Sequence, residues 1–121
     1  MKNTIFHRLA ILMAVMLFFS SCSLFLSKDT KTTTSFTVYG NCDMCKERIE
    51  TALDRPGILT AYWSKEEQKV FITYRNDKFE EIQLHNIIAM VGHDTEKVKA
   101  DDVVYNNLPP CCHYRKEADE W

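Results

Sequence analysis

Over residues 36–91 the apolar positions switch repeatedly between a period of two and a helical period, which leaves few architectures open. Phe36 and Val38 alternate with Thr37 and Tyr39, predicting a strand that ends at Gly40. Cys45, Ile49, Ala52 and Leu53 share one helical face and predict a helix over residues 43–55, stopped by Pro56-Gly57. Leu59, Ala61 and Trp63 alternate with Ile58, Thr60 and Tyr62 as a second strand. A polar turn at residues 65–68 leads to a third, with Val70, Ile72 and Tyr74 on one side. Asp77 and Glu80 read as a capping box opening a second helix, along which Leu84, Ile87, Ile88 and Val91 repeat before Gly92 at C′. Residues 95–100 form a short final strand. The order β-α-β-β-α-β predicts an α+β, ferredoxin-like βαββαβ sandwich: an antiparallel sheet with two helices on one face, followed by an irregular C-terminal tail.

The N-terminus has a different character. Lys2 and Arg8 precede an unbroken apolar run at residues 9–19. Eleven residues rise about 16 Å as a helix, roughly half the hydrocarbon core of a bilayer, so the run suits a signal segment better than a membrane span. Ser20-Ser21-Cys22 follows it and resembles the lipobox of bacterial lipoproteins, although Phe19 stands where that pattern prefers Leu. The expectation is a lipoprotein signal peptide at 1–21, lipidation at Cys22 and a polar tether at 22–34. An ordinary cleaved signal, or an uncleaved anchor extended by Leu24-Phe25-Leu26, are the alternatives. A domain at 35–100 and a Cys-Cys-His tail at 101–121 complete the division. The chain would then sit in the cell envelope, lipid-anchored on the periplasmic side or in the outer membrane, or else be a soluble secreted or periplasmic protein.

At 121 residues the chain is too short for a two-domain nucleotide-dependent enzyme. Its net charge of −2, with no basic block, argues against nucleic acid as a partner. Without residues 1–21, 13 basic and 17 acidic side chains remain, a net charge of −4. With Cys22 taken by lipid, four cysteines remain for chemistry: Cys42, Cys45, Cys111 and Cys112.

Gly40-Asn41-Cys42-Asp43-Met44-Cys45 joins the first strand to the first helix. Thiols at i and i+3 converge there, and the helix N-terminus favours thiolate, the form that binds soft metals. Lys46 and Arg48 add positive charge to the same stretch. A Cys-x-x-Cys alone is compatible with zinc, redox chemistry or a disulfide; at the first β-α junction of this element order it is far more specific.

With VYG, CDMC, KERIETAL, PGI and IIAMVGHDTEKV, the chain resembles the heavy-metal-associated domain family of bacterial copper chaperones, copper-ATPase N-terminal domains and periplasmic mercury-binding proteins. The resemblance implies binding of Cu(I) or Hg(II), or sometimes Zn(II) or Cd(II), through Cys42 and Cys45. The loop departs from the family's G-M-x-C-x-x-C pattern: it is one residue shorter and lacks the Met. His93 stands at a family position near the metal loop, and the resemblance makes it a third ligand or an outer-shell donor. Alternatively it is an exposed loop residue.

Pro109-Pro110-Cys111-Cys112-His113 lies outside the generic family domain, and its double Cys resembles tails of lipoprotein members. Adjacent cysteines pair only with strain. The tail therefore either bridges to Cys42 or Cys45 by disulfide, carries a separate exposed thiol pair, or completes the metal site with Cys111, Cys112 and His113. Residues 101–110 can reach about 33 Å, enough to return to the loop. The possible turn of helix at 102–107 lies on that path.

The remaining candidates read as structural. His85 is one position off the apolar stripe and should face solvent; His7 leaves with the signal; Met90 packs, and Met44 at most shields the loop. Trp63 and Tyr74 suit sheet packing. No carboxylate pair or Ser-His-Asp set is placed for acid–base or nucleophilic work, so the expectation is a binding protein and not an enzyme. The function expected is an extracytoplasmic carrier or sequestering protein for a soft metal, Cu(I) first. Its partner would be a metal-transport or metal-acceptor protein with an exposed thiol site, with a metal-bridged homodimer as a further state. The rivals are a thiol–disulfide oxidoreductase and a disulfide-stapled interaction lipoprotein.

Overall fold

The computed structural model describes residues 2–18 and 29–115. The lipidation reading at Cys22 and the last six residues of the tail lie outside them. Helix α1 (Lys2–Phe18) carries Ile5, Phe6, Leu9, Ile11, Leu12 and Met13 exposed. Among the described residues no helix is long and apolar enough to cross a membrane.

Strand β1 (Lys31–Thr37) pairs antiparallel with β3 (Lys69–Arg75), which pairs antiparallel with β2 (Ile58–Ser64), giving the sheet order β1-β3-β2. β1 starts at Lys31, inside the stretch read as tether. Helices α2 (Asp43–Leu53) and α3 (Glu81–Met90) supply the helical layer. α2 buries Cys45, Ile49, Ala52 and Leu53, the stripe its periodicity predicted. These meet Phe36, Trp63, Val70, Ile72, Leu84 and Ile88 in one core. Trp63 is its largest wholly buried side chain, worth about 3 kcal/mol of apolar burial, and its indole N–H donates to the Val38 carbonyl at 3.0 Å. The architecture is the α+β, ferredoxin-like arrangement expected.

Three local expectations change. The capping box sits at Glu80 and Gln83, while Asp77 instead pairs with Arg75, so α3 begins at Glu81. The final strand shrinks to one bridge, Val38 to Thr95. Thr95 causes this: its backbone N–H donates to Val98 O and its hydroxyl accepts from the Val98 N–H at 3.0 Å, folding the chain into a turn where a strand would run straight. Glu96 then caps the end of β1 through both its backbone and its carboxylate on Thr37.

The third change is His85, which is wholly buried. Segment 94–100 covers the flank of α3 that a straight strand would leave open, and the His85 ring stacks on Phe36 with centroids 3.7 Å apart. Thr95 Oγ1 accepts from the Lys97 and Val98 N–H groups, lies 3.3 Å from Val98 O, and shares a hydrogen bond of 2.6 Å with His85 Nδ1. His85 Nε2 lies 3.8 Å from Glu81, too far for a hydrogen bond, and is left without a partner among the described residues.

The tail is part of the same core. Asp101 caps a short helix, α4 (Asp102–Asn106), by accepting from Val103 and Val104. Tyr105, Leu108 and Cys112 pack inward, and Leu108 closes over Gly92, where φ of +97° and a space of 2.9 Å admit only glycine. Arg115 locks the return. Its Nε and Nη2 grip Asp94 at 2.8 and 2.7 Å, Nη1 meets Asp102, Nη2 also donates to Ala100 O, and the guanidinium lies over the Tyr105 ring. Tyr114 adds a second bolt, accepting from the Asp94 N–H at 2.6 Å and donating to Gly92 O at 2.8 Å.

Two predictions follow from this packing. Burial, above all other influences, lowers the pKa of both His85 and His93. Glu81, Glu96 and Lys97 face His85, and Arg48 and Asp94 face His93. The unfolded chain therefore takes up protons first as pH falls: stability is complete above about pH 6.5 and declines below it, towards a slope of about 2.7 kcal/mol per pH unit for two groups. Denaturant unfolding between pH 6.5 and 5 should show the decline in the metal-free chain, and His85→Gln should roughly halve the slope; a flat profile would contradict two buried neutral histidines. Arg115→Ala removes a pair intermediate between exposed and fully buried, which should cost on the order of 2 kcal/mol. It should also expose the otherwise buried Cys112 to alkylation, read by mass spectrometry.

Candidate metal centre

Cys42 is the N-cap of α2, with φ of −145° and ψ of 173°. Its carbonyl accepts from the N–H groups of Cys45 and Lys46, so the helix starts under the loop. Cys45, one turn on, is wholly buried, and its sulfur accepts the Asn41 N–H at 3.4 Å. Gly40 makes this sharp approach feasible: a Cβ there would stand 2.9 Å from the Trp63 ring and 3.0 Å from Cys45 Cβ. The Gly40 N–H donates to the Gln68 side chain, which anchors the loop to the β2–β3 turn.

The tail approaches from the other side. A 3₁₀ turn at Pro110–Cys112 presents both tail thiols, and Asn41 Nδ2 donates to His113 O at 3.0 Å, pinning the turn to the loop. Cys42 Sγ lies 3.5 Å from Cys45 Sγ, 3.0 Å from Cys111 Sγ and 3.6 Å from Cys112 Sγ. The sulfurs of Cys42, Cys45 and Cys112 all lie within 4.8 Å of one another. Cys111 is exposed, 3.9 Å from Cys112, and its thiol points at Met44 Sδ at 3.5 Å. All four cysteines are free thiols, so the disulfide from tail to loop is not formed here.

Charge within the cluster is unevenly held. Burial opposes ionisation of Cys42, but hydrogen bonding with the Cys111 side chain, the Cys45 backbone, and the Cys45 and Cys112 side chains outweighs it and brings its pKa to about 7. Burial and hydrogen bonding with Cys45 and Cys42 push the Cys112 thiol well up, and hydrogen bonding with Cys42 pushes Cys111 up as well. Without metal, the negative charge sits on Cys42, at the positive end of α2.

The two histidines fall elsewhere. His93 is wholly buried, not exposed. Its Nδ1 meets the Tyr39 carbonyl at 2.8 Å and its ring stacks on Tyr114, so it supports the strand entering the loop and is not among the clustered ligand atoms. The His113 ring leans on Tyr105, and only its carbonyl touches the loop. Lys46 does not act on the thiols: it is held by Glu50 and the Trp63 carbonyl. Sequence reasoning missed Asn41, Asp94, Tyr114 and Arg115, which bring the tail thiols to the loop. The one hint was the Tyr-Arg pair directly after Cys111-Cys112-His113.

No family model and no curated protein matches the sequence. Solved structures do. The chain is similar to the CopZ metallochaperone, 27% identical, with a TM-score of 0.51 over 53% of this chain and 98% of that one. It is similar in fold to the N-terminal domain of a potential copper-translocating P-type ATPase from Bacillus subtilis in the Cu(I)-loaded state, 21% identical, with a TM-score of 0.51 over 54% of this chain and 84% of that one. The same holds for oxidised MerP from Ralstonia metallidurans CH34, 19% identical, with a TM-score of 0.51 over 55% of this chain and 94% of that one. In each case just over half of this chain matches 84–98% of the other, which leaves nearly half of this chain without a counterpart. The chain carries a domain of the heavy-metal-associated fold, resembling those of copper chaperones and MerP.

Proposed function

We propose that this protein captures a soft metal ion, Cu(I) first and Hg(II), Zn(II) or Cd(II) after it, through Cys42 and Cys45 with Cys112 as third ligand. The observation that carries this is the convergence of three sulfurs from two distant stretches of chain within 4.8 Å. A site offering only thiolates selects soft ions over hard ones. With metal–thiolate bonds of about 2.3 Å, sulfurs in a trigonal site stand about 4.0 Å apart. The present spacings of 3.5 and 3.6 Å need only small side-chain rotations to reach that. Capture costs no redox step: each thiol that ligates releases its proton to solvent, and Cys42 is already about half ionised near pH 7. The likeness to a metallochaperone supports handover to an acceptor with exposed thiols. Handover would proceed by ligand exchange, the incoming thiolate replacing Cys112 as the tail lifts.

The N-terminal pattern supports placing this chemistry outside the cytoplasm, tethered by lipid at Cys22. The acidic balance of the remainder suits a basic partner face. The second reading, thiol–disulfide exchange, draws on one observation, the low pKa of Cys42 with Cys111 3.0 Å away.

A titration separates the two. The reduced full chain in detergent, titrated with Cu(I) against a competing chelator, should bind tightly, and Cys42→Ser/Cys45→Ser should abolish binding. Cys112→Ser should weaken it at least tenfold by removing one ligand. No tight binding of Cu(I), Hg(II) or Zn(II) would overturn the metal reading. The alkylation rate of Cys42 against pH should have its midpoint near 7, and Cys111→Ala, by removing the hydrogen bond between Cys111 and Cys42, should raise it.

A further inference from the structure

We infer that the thiol cluster holds two Cu(I) ions, the second bound by Cys42, Cys111 and Met44. The inference rests on the soft-metal reading above and extends it from one ion to two. Its basis is the position of Cys42, whose sulfur is the hub of the cluster, within 3.6 Å of the other three thiols. The donors around that hub fall into two sets. Cys45 and Cys112 are buried and lie on the inner side. Cys111 is exposed, is not part of the inner set, and its sulfur lies 3.0 Å from the Cys42 sulfur and 3.5 Å from the Met44 sulfur. Two soft three-donor sets thus share one sulfur. A thiolate has lone pairs enough to bridge two ions, whereas one ion at the inner position leaves Cys111 and Met44 unused.

The charge balance permits it: three thiolates around one Cu(I) carry a net charge of −2, and a fourth thiolate entering with a second Cu(I) leaves that charge at −2. The protein supplies little to offset it, because Lys46 is held by Glu50 and Arg115 by Asp94 and Asp102. Met44 adds a ligand without adding charge, and it is half exposed, free to turn towards the ion. Loading both ions releases the thiol protons to solvent and moves no electrons. An outer ion on exposed donors is the one a partner's thiol would reach first, while the inner ion stays under the tail.

The test is copper stoichiometry of the full-length chain, reduced and in detergent, by native mass spectrometry and X-ray absorption after loading with Cu(I). The expected result is two ions per monomeric chain with a copper–copper scattering path. Cys111→Ser and Met44→Leu, both exposed positions that leave the core intact, should each lower the count to one. A single ion in the unmodified chain, lost in Cys42→Ser/Cys45→Ser, overturns the second site and leaves the first. Two ions that persist in Cys111→Ser, or that appear only in a dimer, overturn the placement. Failure to bind any copper overturns the metal reading itself.

Discussion

Arg115 is the constraint on which the thiol cluster hangs. One guanidinium meets two carboxylates, a backbone carbonyl and the face of Tyr105, and so ties α4, the turn after α3 and the end of the tail into one block. Such a pair is a poor source of net stability, since both partners are taken partly out of water. Its value is geometric, because a bidentate grip allows one orientation. Burial raises the Asp94 carboxyl, but the hydrogen bonds from Arg115 and the Ala100 N–H outweigh it and lower its pKa below the usual carboxylate value. With the chain fixed at 94 and at 115, the 3₁₀ turn between them lies across the loop, where Asn41 pins it.

That placement changes what the loop can do. A two-thiol loop at a helix N-terminus stabilises thiolate through the helix dipole alone. Here S–H donors from the tail add to it and concentrate the charge on Cys42, while Cys112 is kept protonated by burial. A metal ion entering such a cluster meets one ready ligand and neighbours that ionise on contact. The third sulfur favours retention over exchange, so in the proposed function the tail sets the balance between holding the ion and passing it on.

Much of the fold was legible because it rests on local patterns. The stripe of α2, the two strands of the hairpin and the glycine after α3 each follow from spacing and from one residue's conformational freedom. The errors came where a side chain competed for the backbone. Thr95 turned a short apolar stretch into a hydrogen-bonded turn, and with the last strand gone the flank of α3 was covered differently, which buried His85. Asp77 is paired with Arg75, and the capping role falls to Glu80 with Gln83. Position relative to a stripe cannot reveal what a neighbouring segment will cover.

The sequence alone determined the element order, the core faces and the Cys42–Cys45 pair at the start of a helix, because these depend on residues within a few positions of one another. It also placed Cys111 and Cys112 within reach of that pair, as a matter of chain length. Whether they arrived was decided in three dimensions, by Asp94 and Arg115, which are 21 residues apart, and by Asn41 on His113, 72 apart. Neither contact leaves a periodic trace. A hydrogen bond between distant polar residues has no spacing rule, and only the packed core of Tyr105, Leu108 and Cys112 brings its two ends together.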